Sequence, residues 1–451
     1  MKNNLSTSPY KGTRDFYPED MEFRNWMFGK IKEVLNNNTF QEYNGPVLES
    51  LDLYAAKSGV ELVNEQTYNF EDKSGRRLAI RPEMTPTVAR MIAAKVDELS
   101  FPVRWFSIAN FYRYERPQKG RLREHYQINV DLFGSDSINS DVEILNVIIS
   151  ILNNFGADSS MFKIRINNRR FFNDVLKKIT NIPEEKHVAL SKIIDRKEKI
   201  CKEAFIEELK ELGLDEESIE KLEKMENISL EEAIKICPDS QGAKELCDLF
   251  RILKSINLDK YCEFDFSIIR GLDYYTGTVF EVYDKSTENK RALFGGGRYD
   301  NLVGLFNAKK QVSGIGFGCG DVTLENFLRT HELVPKHNED DIKIMVLNFP
   351  GIDYNELFFL VSELKTIVPT SIFPETKKVG KQIEYAIKNN YDYIAILGQD
   401  ELEQSFVTIK NLKTREEKKI PRNEIIDYFS KEGKNKDINA MKRWLYENNW
   451  S

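Results

Sequence analysis

The sequence predicts a multidomain α+β protein in which an antiparallel sheet is interrupted by a helical insertion and followed by a compact α/β domain. Two long β-rich runs, VRWFSIANFYRY (103–114) and YQINVDLFG (126–134), are joined by a loop that contains proline and glycine, which is typical of an antiparallel hairpin. Charge-dense segments with helical spacing follow in the middle of the chain. Nearer the C-terminus, apolar runs alternate with helical patterns.

The chain divides by sequence texture into five segments. In the last segment, the apolar runs IKIMVLNF and YIAILG alternate with the helical patterns YNELFFLVSELKTIV and VGKQIEYAIKNN, so at least some of its strands should be parallel. At 451 residues, the chain is long enough for two or three hydrophobic cores. The predicted segments are the first part of the sheet domain (1–168), the helical insertion (169–261), the second part of the sheet domain (262–330), a polar linker (331–341) and the α/β domain (342–451).

Composition excludes several classes of protein. The formal net charge of −7 argues against a chain that grips nucleic acid over its whole surface, since phosphate contacts need concentrated lysine and arginine. No stretch approaches the roughly 20 uninterrupted apolar residues of a membrane span, and residues 1–9 lack the apolar centre of a signal peptide. We therefore predict a cytoplasmic protein without a membrane segment. Five cysteines without a Cys-x-x-Cys pair indicate neither a disulfide framework nor a zinc site.

The loop of the predicted hairpin, RYERPQKGRLR, is the most basic local cluster that could meet a phosphate. It carries Arg113, Arg116, Lys119, Arg121 and Arg123 against one glutamate. A solvated hairpin tip explains the same composition, so composition alone does not decide between the two interpretations.

Two arginines are the candidates for binding a phosphate or a carboxylate. Guanidinium is always protonated, and its fork of donors matches the oxygens of these anions. Arg113 lies on the first predicted strand of the hairpin, and Arg270 stands in FSIIRGLDYY. A surface ion pair is the alternative interpretation of either residue.

Polar side chains on otherwise apolar segments predict a pocket for a small polar ligand. Glu83 and Thr85 belong to RPEMT, and Gln127 and Asp131 belong to YQINVD. Gln127 and Asp131 share one face of their strand because side chains alternate with a period of two. The solvated face of a sheet would show the same pattern. The glycine run 295–297 permits close approach of a ligand but lacks the spacing of a Walker loop or a dinucleotide fingerprint.

The ordered motifs YKGTRDFYPED, RPEMT, FYRYERPQKGRLREHYQINVDLFG, RGLDYYTGTVFEVY and GGGRYDNLV resemble the histidyl-tRNA synthetase family of class II synthetases. The resemblance implies an antiparallel catalytic sheet flanked by helices, a helical insertion and a C-terminal α/β anticodon-binding domain. It also implies a homodimer, with Pro46 of NGPVLE at the proline of the dimer-forming motif 1. Segments 1–168 and 262–330 would then be the two parts of the catalytic core.

By this resemblance, the substrates are L-histidine, ATP and tRNA(His), with Mg²⁺ bridging phosphate oxygens. Arg113 would contact the α-phosphate, Arg121 the distal phosphates, and Arg270 both the substrate carboxylate and the α-phosphate. His125 would lie at the adenine. The histidine ammonium would be held by Glu83, Thr85 and Gln127, and the imidazole would face Asp131, Tyr274 and Tyr275.

The chain departs from the family pattern at three positions. Many members carry glutamate where this chain has Asp131, and most carry phenylalanine where it has His125. Class II enzymes usually end motif 3 with an arginine that stacks on adenine, but GFGCGDVTLENF places Thr323 there. Arg329 lies two helical turns beyond Thr323, too far off in angle to replace that arginine. An altered adenine site is the resulting prediction.

Two other functions fit related sequences. One is a non-catalytic regulatory subunit that partners ATP phosphoribosyltransferase, but such relatives lack the C-terminal domain and the RGLDYY segment that this chain has. The other is a binding module that senses uncharged tRNA without chemistry. That function predicts the loss of the phosphate arginines, yet Arg113, Arg121 and Arg270 are all present.

Overall fold

The computed structural model describes residues 5–55, 66–197, 200–225, 228–269, 274–306, 311–335 and 342–432. Contacts divide the chain into two compact units, Met1–Val334 and Pro335–Ser451. The division falls inside the polar segment 331–341. Among the described residues, no helix is both long and apolar enough to cross a membrane.

The first unit is built on a large sheet, antiparallel through its six central strands and parallel only at its two edges. The predicted hairpin is present, with strands that pair from Val103 opposite Phe133 to Tyr112 opposite Glu124. In spatial order the strands are β1 (Gln41–Glu42), β5 (Val103–Tyr112), β6 (Glu124–Phe133), β11 (Gly314–Gly320), β10 (Phe294–Tyr299), β9 (Thr278–Asp284), β7 (Phe162–Asn168) and β8 (Cys262–Phe264). A smaller sheet has the order β2 (Leu48–Ser50), β4 (Arg77–Ile80) and β3 (Asn69–Glu71).

Helices pack against the large sheet, and a run of helices occupies residues 169–255 in the middle of the first unit's sequence. Several begin at residues whose side chains accept backbone N–H groups, for example Ser137, Asn168 and Ser240. The helices are α1 (Pro18–Asn37), α2 (Leu51–Ala55), α3 (Thr85–Ala94), α4 (Ile138–Asn154), α5 (Arg169–Ile179), α6 (His187–Asp195), α7 (Lys202–Leu212), α8 (Glu216–Lys224), α9 (Leu230–Ile236), α10 (Gln241–Ser255) and α11 (Asp321–Thr330).

One continuous core joins one face of the sheet to most of these helices, whereas α2 and α3 pack in separate clusters. Ile128, Val130 and Leu132 of β6 are buried in it together with Ile315 and Phe317 of β11, as are residues of α4, α5 and α10. Because side chains alternate along a strand, the intervening residues of β6 and β11 face the opposite side of the sheet. That opposite face therefore remains for a ligand site.

The second unit is an α/β domain with a five-stranded sheet. Its order is β13 (Thr370–Ile372), β12 (Ile344–Val346), β14 (Tyr393–Ile396), β15 (Phe406–Asn411) and β16 (Glu417–Pro421). β12 pairs in parallel with both β13 and β14, which confirms the predicted parallel strands, and the other pairs are antiparallel. The helices are α12 (Tyr354–Leu364), α13 (Val379–Lys388), α14 (Gln399–Glu403) and α15 (Ile425–Glu432).

Candidate active site

The floor of the site is a stripe of glycines on the ligand-facing side of the large sheet. Gly316 of β11 lies opposite Asp131 of β6, and Gly318 lies opposite Asn129. A Cβ on Gly316 would lie 2.3 Å from Asp131 Oδ1, and a Cβ on Gly318 would lie 2.7 Å from Gln127 Nε2. The glycines therefore give the polar side chains of β6 room to extend across the sheet.

At one end of this face, buried polar groups gather around a carboxylate. We call Glu83, Asp131, Tyr274, Tyr275 and Tyr299 the buried end. Asp131 is only 3% exposed and accepts a hydrogen bond from the Tyr299 hydroxyl. Burial raises the pKa of Asp131 to about 7, although the Tyr299 hydrogen bond opposes that shift. Asp131 therefore changes its charge near neutral pH.

Three tyrosine rings form the wall beside Asp131. The ring centroids of Tyr274 and Tyr275 are 4.9 Å apart, and those of Tyr274 and Tyr299 are 5.7 Å apart. Burial raises the pKa of both Tyr274 and Tyr275, and the charge of Glu83 raises each further. The Tyr274 hydroxyl also interacts with Thr85. The structure thus brings together five predicted residues, Glu83, Thr85, Asp131, Tyr274 and Tyr275.

At the other end, basic side chains surround an open cleft of ≈ 700 Å³. We call Arg113, Arg121, His125, Lys290 and Arg291 the cationic end. Gln127, Gly318 and Thr323 also line this cleft. The predicted residues Arg113, Arg121, His125 and Gln127 are therefore brought to one space, next to the glycine floor.

Each of the two hairpin arginines in the cleft is held by a neighbour. Arg113 donates from Nε to the Pro82 carbonyl oxygen at 2.9 Å. Burial lowers the pKa of Arg113, while nearby Glu83 acts in the opposite direction. Arg121 pairs with the carboxylate of Glu115. Both guanidinium groups are charged at neutral pH because arginine is not deprotonated in proteins.

His125 is a neutral ring in this cationic surrounding. Burial, together with the positive charges of Arg113, Arg14 and Arg121, lowers its pKa to about 3. A neutral imidazole face can stack against a flat ligand without adding charge.

Sequence reasoning missed several residues of the site. Tyr299 was not assigned, although it stands in the quoted motif GGGRYD, and its contact with Asp131 joins positions 168 residues apart. Lys290 and Arg291 line the cleft from the β9–β10 loop, where the only sequence signal is a short basic pair before the glycine run. Glu281 is 7% exposed and lies opposite Gly295 of the cleft. Arg270 lies outside the described residues.

Thr323 and Arg329, the two residues considered for the motif 3 position, both make contacts within the protein. Thr323 lines the cleft, and its hydroxyl donates to the Gly320 carbonyl oxygen at 3.1 Å, within the first turn of α11. Arg329 pairs with Glu325 at 2.8 Å and lies over the Phe23 ring at 4.6 Å. These contacts hold Arg329 away from the cleft lining, so Arg329 does not replace the motif 3 arginine.

An antiparallel sheet with an arginine-bearing hairpin, a glycine floor and a separate C-terminal α/β unit defines a class II aminoacyl-tRNA synthetase. The family described as "Histidyl-tRNA synthetase" matches residues 12–320, and the family described as "Anticodon binding domain" matches residues 360–432. The chain belongs to the histidyl-tRNA synthetase family.

Curated relatives and solved structures agree with this membership. A histidine–tRNA ligase of Leptospira biflexa is 44% identical over 92% of this chain and 95% of its own length. One from Thermoplasma volcanium is 36% identical over 93% of this chain and 98% of its own length. The histidyl-tRNA synthetase of Nostoc sp. PCC 7120 matches 95% of this chain and all of its own with a TM-score of 0.78 at 23% identity, which shows the fold.

Proposed function

We propose that the chain activates L-histidine with ATP, releasing pyrophosphate, and then esterifies the histidine to the 3′ end of tRNA(His). Membership of the family makes the chain an aminoacyl-tRNA synthetase. One observation carries the detailed assignment. A buried carboxylate among tyrosines and a cluster of arginines lie along the same glycine-floored sheet face.

Activation depends on positioning and on charge. The histidine carboxylate oxygen attacks the α-phosphorus, the bond to the bridging oxygen breaks, and pyrophosphate leaves. We assign Arg113 to the α-phosphate and Arg121 to the distal phosphates, because fixed guanidinium groups stabilise negative charge as it develops. Arg121 would exchange its contact with Glu115 for phosphate oxygens. Arg270 keeps the role that the resemblance implies, at the carboxylate and the α-phosphate.

Histidine selection is assigned to the buried end and to its neighbours on the same face. Asp131 would accept a hydrogen bond from an imidazole N–H, with Tyr274 and Tyr275 facing the ring. Ligands that lack this donor would leave the buried carboxylate with the Tyr299 hydrogen bond but without the one from the ligand, and an unmet hydrogen-bonding position in a buried site costs roughly 1–3 kcal/mol. The ammonium group would be held by Glu83, Thr85 and Gln127.

Magnesium belongs to the proposed reaction as the partner of the phosphates. Mg²⁺ is commonly held by one or two carboxylates together with phosphate oxygens. The residues present fit such an ion, because the buried carboxylate of Glu281 lies opposite Gly295 on the face that the cleft occupies. Glu281 would be its protein ligand, and the ion would neutralise charge on the departing pyrophosphate.

The second step brings in the tRNA. The terminal ribose hydroxyl attacks the carbonyl carbon of the adenylate, and the bond from that carbon to the phosphate oxygen breaks. AMP leaves, and the proton of the hydroxyl is released. We assign residues 342–451 to anticodon binding, supported by the match of residues 360–432 to the anticodon-binding family. Residues 169–261 are assigned to the helical insertion of the catalytic core. Because charging serves translation, we place the reaction in the cytoplasm.

We further propose that the chain works as a homodimer through the segment around Pro46. Val47 and Leu48, next to it, are 44% and 46% exposed, an unusual position for two neighbouring apolar side chains. The double variant Val47→Asp/Leu48→Asp should be monomeric by light scattering. Val188→Asp, at an exposed apolar residue of α6, should leave the dimer intact. A double variant that remains dimeric would overturn this assignment.

ATP–pyrophosphate exchange, measured with each amino acid separately, tests the proposed activity. Exchange of radiolabelled pyrophosphate into ATP should require L-histidine, and no other amino acid should support it. Aminoacylation of tRNA(His) transcripts then tests the second step. Exchange that is supported by a different amino acid, or exchange that occurs without any amino acid, would overturn the assignment.

A further inference from the structure

The main cleft adjoins a smaller recess, to which no part of a substrate has been assigned so far. The recess has a volume of ≈ 210 Å³ and shares Gly120, Lys290, Arg291 and Thr323 with the main cleft. If Arg113 and Arg121 hold the triphosphate, as proposed, the recess and the residues that it shares with the main cleft are available for the rest of the nucleotide.

Arg291 is held in position at the junction of the recess and the cleft. It stands in the loop between β9 and β10, and its Cδ lies 3.1 Å from the place that a Cβ on Gly120 would occupy. Thr323 Cγ2 lies 3.7 Å from the same place. The aliphatic part of the Arg291 side chain therefore packs between the tip of the β5–β6 loop and the start of α11.

The guanidinium of Arg291 is not committed to a partner in the protein. Among the described residues it makes no hydrogen bond and no ion pair, in contrast to Arg121, which pairs with Glu115, and Arg329, which pairs with Glu325. Arg291 is also only partly exposed. The aliphatic part of this side chain is packed, whereas its planar guanidinium has no partner among the described residues. Such a group is suited to stacking on an aromatic ring.

Neither Thr323, at the motif 3 position, nor Arg329, in the last turn of α11, supplies a cation to the cleft. Thr323 is uncharged and donates its hydroxyl to Gly320, and Arg329 lies over the Phe23 ring. His125, elsewhere on the cleft lining, is a neutral ring because its pKa is lowered to about 3. Among the described residues of the cleft lining, His125 thus offers a neutral aromatic face, and Arg291 offers a guanidinium that makes no hydrogen bond or ion pair.

We propose that Arg291 stacks its guanidinium on the purine base of ATP and so contributes to nucleotide binding where motif 3 carries Thr323. This inference rests on the proposed function, because it assumes that ATP occupies the cleft. It assigns Arg291 to the base rather than to the phosphates, which Arg113 and Arg121 contact.

Binding measurements on the full-length protein separate base from phosphate. The probes are a non-hydrolysable ATP analogue, measured by calorimetry, and inorganic triphosphate, measured as a competitor of that analogue. Arg291→Ala should weaken binding of the analogue about 10-fold, in the range of cation–π contacts, and leave triphosphate binding unchanged within about 2-fold. In exchange assays the KM for ATP should rise similarly, while the KM for histidine stays constant.

Lys290→Ala is the matched charge control, because it removes the same charge from the neighbouring residue of the same cleft lining. It should weaken binding of the analogue and of triphosphate equally, and by less than Arg291→Ala weakens binding of the analogue. Arg291→Lys tests planarity and should recover only part of the lost affinity, since an ammonium group cannot stack. If Lys290→Ala weakened binding of the analogue as much as Arg291→Ala did, net charge would explain the loss and the inference would fail. Equal weakening of triphosphate and of the analogue in Arg291→Ala would make Arg291 a phosphate ligand and would also overturn it.

The wild-type protein distinguishes this inference from the proposed function. Histidine-dependent exchange by wild type, together with unchanged nucleotide binding by Arg291→Ala, would remove the role of Arg291 and leave the function standing. Absence of histidine-dependent exchange in wild type would overturn the function itself. Thermal melting of each variant checks that it folds, and little change is expected because Arg291 makes no hydrogen bond with a described residue.

Discussion

At the buried end of the cleft, Asp131 is 3% exposed and already accepts a hydrogen bond from Tyr299, whereas at the cationic end Arg291 makes no hydrogen bond with a described residue. The buried end thus uses groups whose protonation is set by burial. The cationic end relies mainly on the guanidinium groups of Arg113, Arg121 and Arg291, whose charge is fixed. This difference suits two tasks, since one end can reject wrong side chains by desolvation and the other can bind many anions by charge.

The largest effect on activity is expected when a charge is removed from the cationic end. Arg113→Ala should lower kcat/KM for exchange by about 10²–10³-fold, the typical loss when one preorganised donor to developing charge is removed. The measurement is exchange with saturating histidine and varied ATP. Arg116→Ala, at an exposed arginine of the same loop, is the control and should stay near wild type. An equal loss in both variants would show that the loop acts through net charge alone.

The next largest effect should come from the buried end. Asp131→Ala should raise the KM for histidine about 10–100-fold, because it removes the proposed acceptor of an imidazole N–H and leaves polar groups unpaired. The KM for ATP should change far less. Exchange measured with each substrate varied in turn gives both constants. If the two KM values rose equally, Asp131 would not be the residue that recognises the imidazole, and the two ends would not be separable.

Sequence patterns predicted the parts of this site that depend on local periodicity. The hairpin that carries Arg113 and Gln127 follows from two β-rich runs around a turn, and the common orientation of Gln127 and Asp131 follows from strand alternation. Tyr299 and Arg291 could not be predicted in the same way. Their roles depend on contacts with Asp131 and Gly120, which are distant in the chain and meet only in the folded sheet.

Stability measured against pH sharpens the description of the buried end. With a folded pKa of about 7 and an unfolded pKa of about 3.9, Asp131 binds more protons in the folded state between these values. The free energy of unfolding of the wild type should therefore fall as the pH rises from 4 to 7. Asp131→Asn removes the titration, so its stability relative to wild type should increase by about 2–3 kcal/mol from pH 5 to pH 8.

Urea unfolding of both proteins at the two pH values measures that increase. Asp158→Asn is the control, since Asp158 is exposed and the hydrogen bonds that it accepts from Ser160 lower its pKa. It should show no gain at pH 8. A relative stability of Asp131→Asn that is the same at pH 5 and pH 8 would mean that Asp131 does not titrate near 7.

The smallest effect is expected at the glycine floor between the two ends. A Cβ on Gly318 would lie 2.7 Å from Gln127 Nε2 and 3.0 Å from its Cδ, so Gly318→Ala should displace the Gln127 amide. Because Gln127 is assigned to the histidine ammonium, the KM for histidine should rise about 3–10-fold, the loss of roughly one hydrogen bond.

Gly29→Ala in α1, where a new Cβ meets nothing within 4 Å, should leave both KM values unchanged. A selective rise in the KM for ATP in Gly318→Ala would move the boundary between the two ends, because it would assign Gln127 and this part of the floor to the nucleotide. If only the KM for histidine rises, Gln127 and Gly318 both belong to the histidine site. The nucleotide site would then begin beyond them, at the guanidinium groups of the cleft.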